Sequence, residues 1–422
     1  MGSVPALLTL EELIGRVLCH DPQLRQAWAD AKFQAASVGV KQSAYLPKLS
    51  GSFGITRNYN DTLYEQNSDY SVHGRQEQFE SRISLSWVLF DFGRREAALR
   101  SARYLLVAAN SNQDKKLQEV FLLAAQLYYD ALSAQRHKAT ASKITDLAAE
   151  NLDAASAKYA AGAAALSDRL QAQTAYSQAS LNEVRSNGAL QNAKGLIALH
   201  MGLSPHTSLE LAESLTRLPD SQFIQNVELL LEQARRDHPA IISARAKLQA
   251  AEATIEEQRA LGRPSLSFVA NISDVRTNQS IAYNGDRRVR DNDIGLQLSV
   301  PLFDGFERTY KIRGARSQFE VNEAEVMILE KNLSLELWSN YQRLCIETRA
   351  LASTANLAEN ASQAMHVVRG RYSSGVGNVI ELLNALSAYA AAEQQHINTL
   401  SSWQMARLKL AASLGRLGFW TI

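Results

Sequence analysis

The sequence is poor in several features that define common protein classes. Its two cysteines, Cys19 and Cys345, do not occupy corresponding places in the internal repeat, which argues against a disulfide or a cysteine metal site. Basic and acidic side chains balance at 44 to 43, so the positive charge that nucleic-acid binding requires is missing. No stretch approaches about 18 consecutive apolar residues, so we expect no transmembrane helix.

Chemical motifs are equally scarce. The eight histidines are scattered, and we find no nucleophile–base pair, no metal-ligand spacing and no phosphate loop. We therefore expect no catalytic residue, no cofactor and no metal, and hence no enzyme.

Proline is confined to short parts of the chain. None occurs between Pro47 and Pro205 or after Pro301, and these tracts are rich in helix-forming residues. The pattern is helical from Arg94 to about Ala161, and a helix of roughly 67 residues would be about 100 Å long, wider than a globular core. Steps of four and three predict coiled-coil seams. The seam residues are Leu117, Phe121, Ala124, Tyr128 and Ala131 in one tract, and Leu333, Leu337, Tyr341 and Leu344 in the other.

The chain contains one long internal repeat. LSWVLFDFGRR at Leu85–Arg95 recurs as LSVPLFDGFER at Leu298–Arg308, 213 residues later. KYAAG, ending at Gly162, recurs at the same offset as RYSSG, ending at Gly375. Upstream the offset is 217, because LPKLS in the first half corresponds to RPSLS in the second. Such a period is too long for a solenoid and indicates a duplicated half.

Two tracts with a period of two, 46–92 and 263–304, interrupt the helical pattern. Each apolar run is about ten residues, the length of a tilted membrane strand. We expect two hairpins whose external loops span Asn58–Gly74 and Ser273–Arg290. The predicted lipid-facing side chains are Phe53, Ile83, Leu85, Phe268, Leu296 and Leu298, and the predicted lumen-facing ones are Ser52, Ser84, Ser267 and Gln297.

Four strands cannot close a barrel, and open strand edges cannot exist in lipid. If these strands meet a membrane, several protomers must therefore pool them. Three protomers would supply twelve strands, an even number within the range of membrane barrels.

Over essentially its whole length the chain resembles the TolC family of outer-membrane channel-tunnels, the outer membrane efflux proteins. The duplication, the junction motifs LFDFGRR and LFDGFER, and the turn motifs KYAAG and RYSSG carry the resemblance, and RYSSGVGNVIELLNA at Arg371–Ala385 is its most specific part. The resemblance implies an α+β membrane protein that forms a homotrimeric channel-tunnel. Four strands per protomer would be pooled into a twelve-stranded transmembrane β-barrel, continued by a long α-helical coiled-coil barrel.

The resemblance also implies a place in the bacterial outer membrane, in contact with its lipid, with the helical barrel in the periplasm. The partners would be a periplasmic adaptor (membrane fusion) protein and an inner-membrane ABC or proton-driven transporter. The chain would be the passive exit duct of a tripartite export system. Lacking an N-terminal lipid cysteine, it resembles type I secretion members most, so type I protein (toxin) secretion is the expected role. A multidrug or small-molecule efflux channel is the alternative, and a periplasmic coiled-coil scaffold is the alternative from another class.

This organisation predicts eight segments in two halves. In the first half they are an N-terminal segment with the first tunnel helix (1–45), a transmembrane hairpin (46–92), and a long helix, tip turn and return helix (93–202). An equatorial connector (203–221) follows. In the second half they are the opening helices (222–262), a hairpin (263–304), the second long helix, tip turn and return helix (305–415), and a C-terminal tail (416–422).

Site residues follow from the resemblance by position. The turns Gly162–Asp168 and Gly375–Glu381 would form the periplasmic tip, which docks the adaptor and closes the pore. The docking residues would be Gly162, Ala163, Gly375 and Val376, and the gate would be Asp168, Tyr372, Glu381 and Asn384, with Tyr372 bonded to Asp168. An arginine that some members use as a further gate link is Gly377 here, and Asn384 replaces an acid, so fewer charged contacts would hold the gate.

The same residues could instead have purely structural roles. Gly162 and Gly375 would serve as helix C-caps, Glu381 would form a capping box with Asn378, and Tyr372 would simply pack.

The strand–helix junctions complete the set. Gly93 and its partner Gly305 would permit a sharp turn from strand to helix, while Phe90 and Phe303 pack at the membrane boundary. Pro47 and Pro264 would mark the opposite junctions, since proline stops a helix and suits a strand start.

Overall fold

The computed structural model describes residues 7–62, 72–212, 227–279 and 286–418. Parts of the expected hairpin loops, of the connector 203–221, of the opening helices 222–262 and of both chain ends lie outside the described residues. The chain divides into two compact units. We call Met1–Ala29, Asn110–Ser243 and Met327–Ile422 the helical unit, and Asp30–Ala109 with Ala244–Val326 the strand unit.

The described residues form two sets of four helices that match in order and length. The first set is α1 Leu10–His20, α2 Pro22–Ser43, α3 Arg94–Ala160 and α4 Leu166–His200. The second set is α5 Val227–Asp237, α6 Pro239–Ala260, α7 Glu307–Ser373 and α8 Val379–Ser413. Corresponding helices have 11, 22, 67 and 35 residues. None of these helices combines the length and apolar composition needed to cross a bilayer.

Short polar breaks separate the first two helices of each set. Asp21 Oδ1 accepts hydrogen bonds from the backbone N–H of Gln23 (2.8 Å) and Leu24 (3.1 Å), so it caps α2, which begins at Pro22. His238 Nδ1 lies 3.2 Å from the N–H of Ala240 in the corresponding place. Proline suits the first helical position because its missing N–H would have no helical partner there.

The expected coiled-coil seams are buried in the core of the helical unit, with exceptions. Phe121 and Tyr128 are each 1% exposed and Leu337 is fully buried, whereas Leu117 is 38% exposed, so the first seam begins at Phe121 rather than at Leu117. Tyr341 is only partly buried against its core cluster. The described part of the connector belongs to the same unit, because Leu211 pairs with Leu8 in an isolated parallel bridge and both are buried.

The strand unit contains one antiparallel sheet in the order β1-β2-β3-β4. Its strands are β1 Lys48–Thr62, β2 Val72–Phe90, β3 Ser265–Gln279 and β4 Arg287–Ser299. Pro47 and Pro264 directly precede β1 and β3, as predicted.

The strands are longer than predicted. In the polar segments expected to be loops, Asn58–Gly74 and Ser273–Arg290, most of the described residues are paired, for example Asn58 with Gln76 and Thr277 with Arg287. The loop prediction was wrong for these residues because a backbone ladder pairs N–H with C=O whatever the side chains are. The apolar pattern indicates only the part of each strand that carries apolar side chains on one face.

The strand register collects the apolar side chains on one face. Leu85 pairs with Leu49 and Ala270, and Phe268 with Trp87 and Leu296. Since successive side chains alternate between faces, these pairs define an apolar face, and Ser52, Ser84, Ser267 and Gln297 lie on the opposite polar face. The apolar face consists of Leu49, Phe53, Ile55, Phe79, Ile83, Leu85, Trp87, Leu266, Phe268, Ala270, Ile272, Ile294, Leu296 and Leu298.

Candidate functional site

The first tip turn, between α3 and α4, is closed by a glycine C-cap. Gly162 has φ +73°, its N–H donates to Tyr159 O (2.9 Å), and the next N–H, of Ala163, donates to Lys158 O (2.8 Å). This is the pairing of a Schellman motif, and only glycine adopts the left-handed backbone without strain. Gly162 and Ala163 are exposed, so both are accessible to a partner.

The second turn, between α7 and α8, has the same closure and a stronger start to its return helix. Gly375 has φ +83°, and the N–H of Val376 donates to Arg371 O at 3.0 Å. Asn378 caps α8 by accepting from Glu381 N–H (2.8 Å), as its capping role predicts, whereas its counterpart Ala165 makes no side-chain cap. A Cβ at position 377 would lie 3.1 Å from the Tyr372 nitrogen, so a larger side chain is tightly restricted there.

Small residues bring the four helices of the tip together. One buried cluster combines alanines of α3 and α4 with larger apolar side chains of α7 and α8. Alanine allows close helix approach, and the α7 and α8 side chains fill the space that remains. The cluster consists of Ala148, Ala155, Ala172, Ala179, Met365, Tyr372, Val379, Leu382, Leu386 and Tyr389.

Lys158 links the two turns through Tyr372. Its ammonium donates to Tyr372 O at 2.5 Å and lies 3.8 Å from the centroid of the Tyr372 ring. A cation at the last carbonyls of a helix is favourable, and the ring face adds a cation–π attraction. The sequence reasoning missed this contact, although Lys158 is the first residue of the quoted KYAAG motif.

The expected bond between Tyr372 and Asp168 is not formed. The Tyr372 hydroxyl is buried and has no hydrogen-bond partner among the described residues, because the ring is packed in the alanine-rich cluster. Burial raises the pKa of Tyr372, and the nearby Asp168 carboxylate raises it further. Asp168 instead accepts from Ser167 Oγ at 3.3 Å. Asp168 is thus close enough to act on Tyr372 electrostatically, but the predicted hydrogen bond between them is absent.

Glu381 is held by an arginine that the sequence reasoning also missed. Arg371 Nη1 lies 2.8 Å from Glu381 Oε1. Arg371 opens the RYSSG motif, so it is the counterpart of Lys158, yet it binds within its own turn. The tip therefore contains this charged contact although position 377 is glycine. Asn384 lies one turn further along α8 and is exposed.

The strand-to-helix junctions need two consecutive left-handed residues. In the first half these are Phe92 (φ 52°) and Gly93 (φ 93°), and in the second they are Gly305 (φ 60°) and Phe306 (φ 68°). Gly93 and Gly305 thus permit the turn as predicted, but they do not correspond, because the repeat aligns each with a phenylalanine. The left-handed phenylalanines contact the predicted Phe90 and Phe303, with ring centroids 4.6 and 5.6 Å apart.

Arg95 anchors the first junction. Its guanidinium donates to Val88 O (2.6 Å), Ala44 O (3.2 Å) and Asp91 Oδ2 (3.0 Å), and it lies over the Tyr45 ring. The side chain is only 13% exposed.

The second junction has the same arginine in a looser setting. Arg308 lies 4.0 Å from Asp304 and is 35% exposed. It crosses Gly262, where a Cβ would lie only 1.9 Å from Arg308 Nη1. A larger side chain at this position would therefore have to displace the Arg308 guanidinium from its present place.

The sequence matches a known family in both halves. The family model for outer membrane efflux proteins matches residues 13–202 and 230–416. The chain belongs to the outer membrane efflux protein family. As a member of this family it is an outer-membrane transport protein.

Similar proteins share nearly the whole chain. Protein CyaE of Bordetella pertussis is 31% identical over 420 residues, covering 98% of this chain and 85% of the relative. The alkaline protease secretion protein AprF of Pseudomonas aeruginosa is 22% identical over 94% of this chain and 82% of its own length. The pyoverdine export outer membrane protein OpmQ of the same organism is 26% identical over 96% and 83%.

The fold agrees with these similarities. The solved structure of the outer-membrane channel OprN superposes with a TM-score of 0.80 at 18% identity, covering 98% of this chain and 91% of that chain. The chain therefore has the fold of that channel. The family match, which indicates the outer membrane, overturns the alternative of a scaffold that never enters a membrane.

Proposed function

We propose that three copies of this chain form a passive exit duct through the outer membrane. The open edges of the sheet carry this proposal. β1 and β4 are the outer strands, and the apolar face between them is exposed, with Phe53 at 84% and Ile294 at 77%. In lipid the edge N–H and C=O groups need partners, so β1 of one copy must pair with β4 of the next. Four strands from each of three copies close a twelve-stranded barrel.

Cysteine cross-linking tests this assembly. One cysteine is placed in β1 and one in β4, in a background carrying Cys19→Ser and Cys345→Ser. Head-to-tail pairing predicts covalent dimers and closed trimers when outer membranes are oxidised. Single-cysteine variants are the matched control, since a head-to-tail contact does not bring identical residues together. Monomers alone from every β1–β4 combination would contradict the proposal.

At the tip we propose that Gly162, Ala163, Gly375 and Val376 dock a periplasmic adaptor, which connects the duct to an inner-membrane ABC or proton-driven transporter. The exposure of these residues supports the proposal: Val376 is 72% exposed next to the Gly375 cap, and the other three are exposed as well. We also propose that Asp168, Tyr372, Glu381 and Asn384 line the periplasmic gate, with Lys158 and Arg371 as its cationic contacts. Bulky charged substitutions at Gly162 or Gly375 should then abolish export while oligomers remain in the membrane.

For the cargo we propose protein secretion of the type I class. The similarity to AprF, a protease secretion protein, extends over 94% of this chain and supports this proposal. The similarity to the pyoverdine exporter OpmQ favours the alternative, efflux of small molecules. Deleting the gene in its own bacterium separates the two. Loss of a protein from the medium with unchanged dye accumulation supports secretion, and dye accumulation with an unchanged set of exported proteins supports efflux.

A further inference from the structure

On β3 and β4, the apolar side chains of the apolar face are followed directly by a group of arginine side chains. Along β3 and β4 the paired rows of this face run from Phe268–Leu296 through Ala270–Ile294 to Ile272–Asn292. The next two rows are Asp274–Arg290 and Arg276–Arg288. The same rows continue across β2 and β1 into apolar side chains, since Arg276 pairs with Phe79 and Phe79 with Ile55. Charge and apolar surface therefore lie side by side on one face.

Three of these side chains are cations around a single carboxylate. Arg288 Nε lies 3.0 Å from Asp274 Oδ1, Arg290 Nε lies 3.5 Å from Oδ2, and Arg276 Nε lies 3.8 Å from Oδ1. One carboxylate carries one negative charge, so two positive charges of this cluster are uncompensated. Arg276 and Arg290 are 62% and 67% exposed, which leaves their guanidinium groups open to a ligand.

The first hairpin repeats the arrangement on the same face. Arg57 Nη2 lies 2.7 Å and Arg75 Nη2 3.1 Å from the single carboxylate of Glu77. We call the five arginines of the two clusters the arginine belt. The belt exceeds its two acids by three charges, and among the described residues Asp61 and Asp286 reduce this excess to one.

The polar face of the same rows has the opposite balance. Its charged side chains are Arg82 and Arg287 against Glu80, Asp291 and Asp293, a difference of minus one. Arg82 lies 2.6 Å from Glu80. The excess of arginine is therefore confined to the face that also carries the aromatic and aliphatic side chains, and it is not a general property of these strands.

We propose that the arginine belt binds the phosphate groups of outer-leaflet lipid headgroups. A guanidinium matches phosphate through paired N–H donors, and basic side chains beside a membrane attract anionic lipid. A ligand that contacts both the belt and the adjoining apolar face must be amphipathic, which a phosphorylated lipid is and a soluble anion is not. The inference rests on the proposed function, since it requires the apolar face to meet lipid.

The test compares two double variants of equal charge change. One carries Arg288→Gln and Arg290→Gln in the belt, and the other carries Arg82→Gln and Arg287→Gln on the polar face. Each full-length protein, extracted from outer membranes in neutral detergent, is titrated with lipopolysaccharide and with the same lipid after enzymatic dephosphorylation. We expect the belt variant to bind the phosphorylated lipid roughly thirtyfold more weakly and the polar-face variant to stay within about threefold of the parent.

A third variant, Asp274→Asn, removes the acid and should tighten binding, so the proposal does not depend on loss of affinity alone. Equal affinity for both lipids would overturn the proposal, as would equal losses in the two double variants. Competition by inorganic phosphate at matched phosphate concentration would indicate a free-anion site and overturn the lipid assignment. The oligomeric state measured in the same samples distinguishes failure of the two proposals. If oligomers are absent, the proposed duct is contradicted. If oligomers are intact but lipid binding does not depend on phosphate, only the proposed role of the arginine belt is contradicted.

Discussion

At the scale of single residues, the tip shows how one motif position acquires two roles. Lys158 and Arg371 are repeat counterparts, but Lys158 reaches Tyr372 of the other turn and Arg371 stays with Glu381 in its own. Tyr159 and Tyr372 differ in the same way, at 38% and 5% exposed. The duplicated turns are therefore joined by contacts that occur once in the protomer, not twice.

Replacing Lys158 by methionine should loosen the tip. The change keeps an apolar stem of similar length but removes both the bond to Tyr372 O and the cation over its ring. We expect Lys158→Met to raise single-channel conductance in planar bilayers. Tyr372→Phe is the matched control and should leave conductance near that of the parent, because the hydroxyl it removes has no partner and its burial costs about 1–3 kcal/mol. If Tyr372→Phe raised the conductance and Lys158→Met did not, the bond between Tyr372 and Asp168 would be the closing contact after all.

Glu381→Gln should have a small effect on stability and a measurable one on ion selectivity. The pair with Arg371 is exposed, and such pairs contribute about 0–1 kcal/mol. Removing the carboxylate frees one cation in each copy, so reversal potentials in a salt gradient should shift toward anions. Arg371→Gln should shift them the opposite way. If both variants had the reversal potential of the parent, neither side chain would face the conduction path.

At the scale of elements, the two strand-to-helix junctions use the same arginine with different strength. Arg95 is nearly buried among carbonyl oxygens, whereas Arg308 lies over the backbone of Gly262 and is more exposed. Tyr45, which Arg95 covers, is the repeat counterpart of Gly262. One arginine thus packs against an aromatic ring, and its counterpart in the other half packs against a glycine.

Arg95→Ala should therefore cost more stability than Arg308→Ala. Loss of Arg95 removes the ion pair with Asp91 and leaves several carbonyl groups without their side-chain donor, at about 2–4 kcal/mol, although Asp91 keeps the backbone N–H of residue 95. Loss of Arg308 removes a longer, more exposed pair worth about 0–1 kcal/mol. Thermal unfolding in detergent, followed by circular dichroism, compares the two. Equal shifts in Tm would contradict the difference in burial as the cause.

Substitutions at two adjacent residues of β2 test which face of the sheet meets lipid. Leu85→Arg should impair assembly, because an arginine on the lipid face near the bilayer midplane costs about 2–4 kcal/mol. Ser84→Arg places the same side chain on the polar face and should be tolerated. The recovery of heat-resistant oligomers from outer membranes measures both. Similar recovery would refute the assignment of the apolar face to lipid.

At the scale of the whole molecule, the order of elements was predictable and their contacts were not. Proline-free tracts and the repeat were sufficient to place α3 and α7, which end within a residue or two of the turns expected at Gly162 and Gly375. Strand lengths were underestimated, because paired polar segments carry no apolar signal. The partners of Lys158 and Arg371 depend on distances between helices, which the short motifs KYAAG and RYSSG do not indicate.

The matched helix lengths also restrict how this gene can change. The difference between the 217- and 213-residue offsets arises within the hairpins, and all four pairs of corresponding helices have kept equal lengths. A codon inserted into α4 alone would shift its alanines out of step with the α8 side chains that they pack against. Insertions and deletions in the helices should therefore survive only as coordinated pairs, while single ones accumulate in the hairpins.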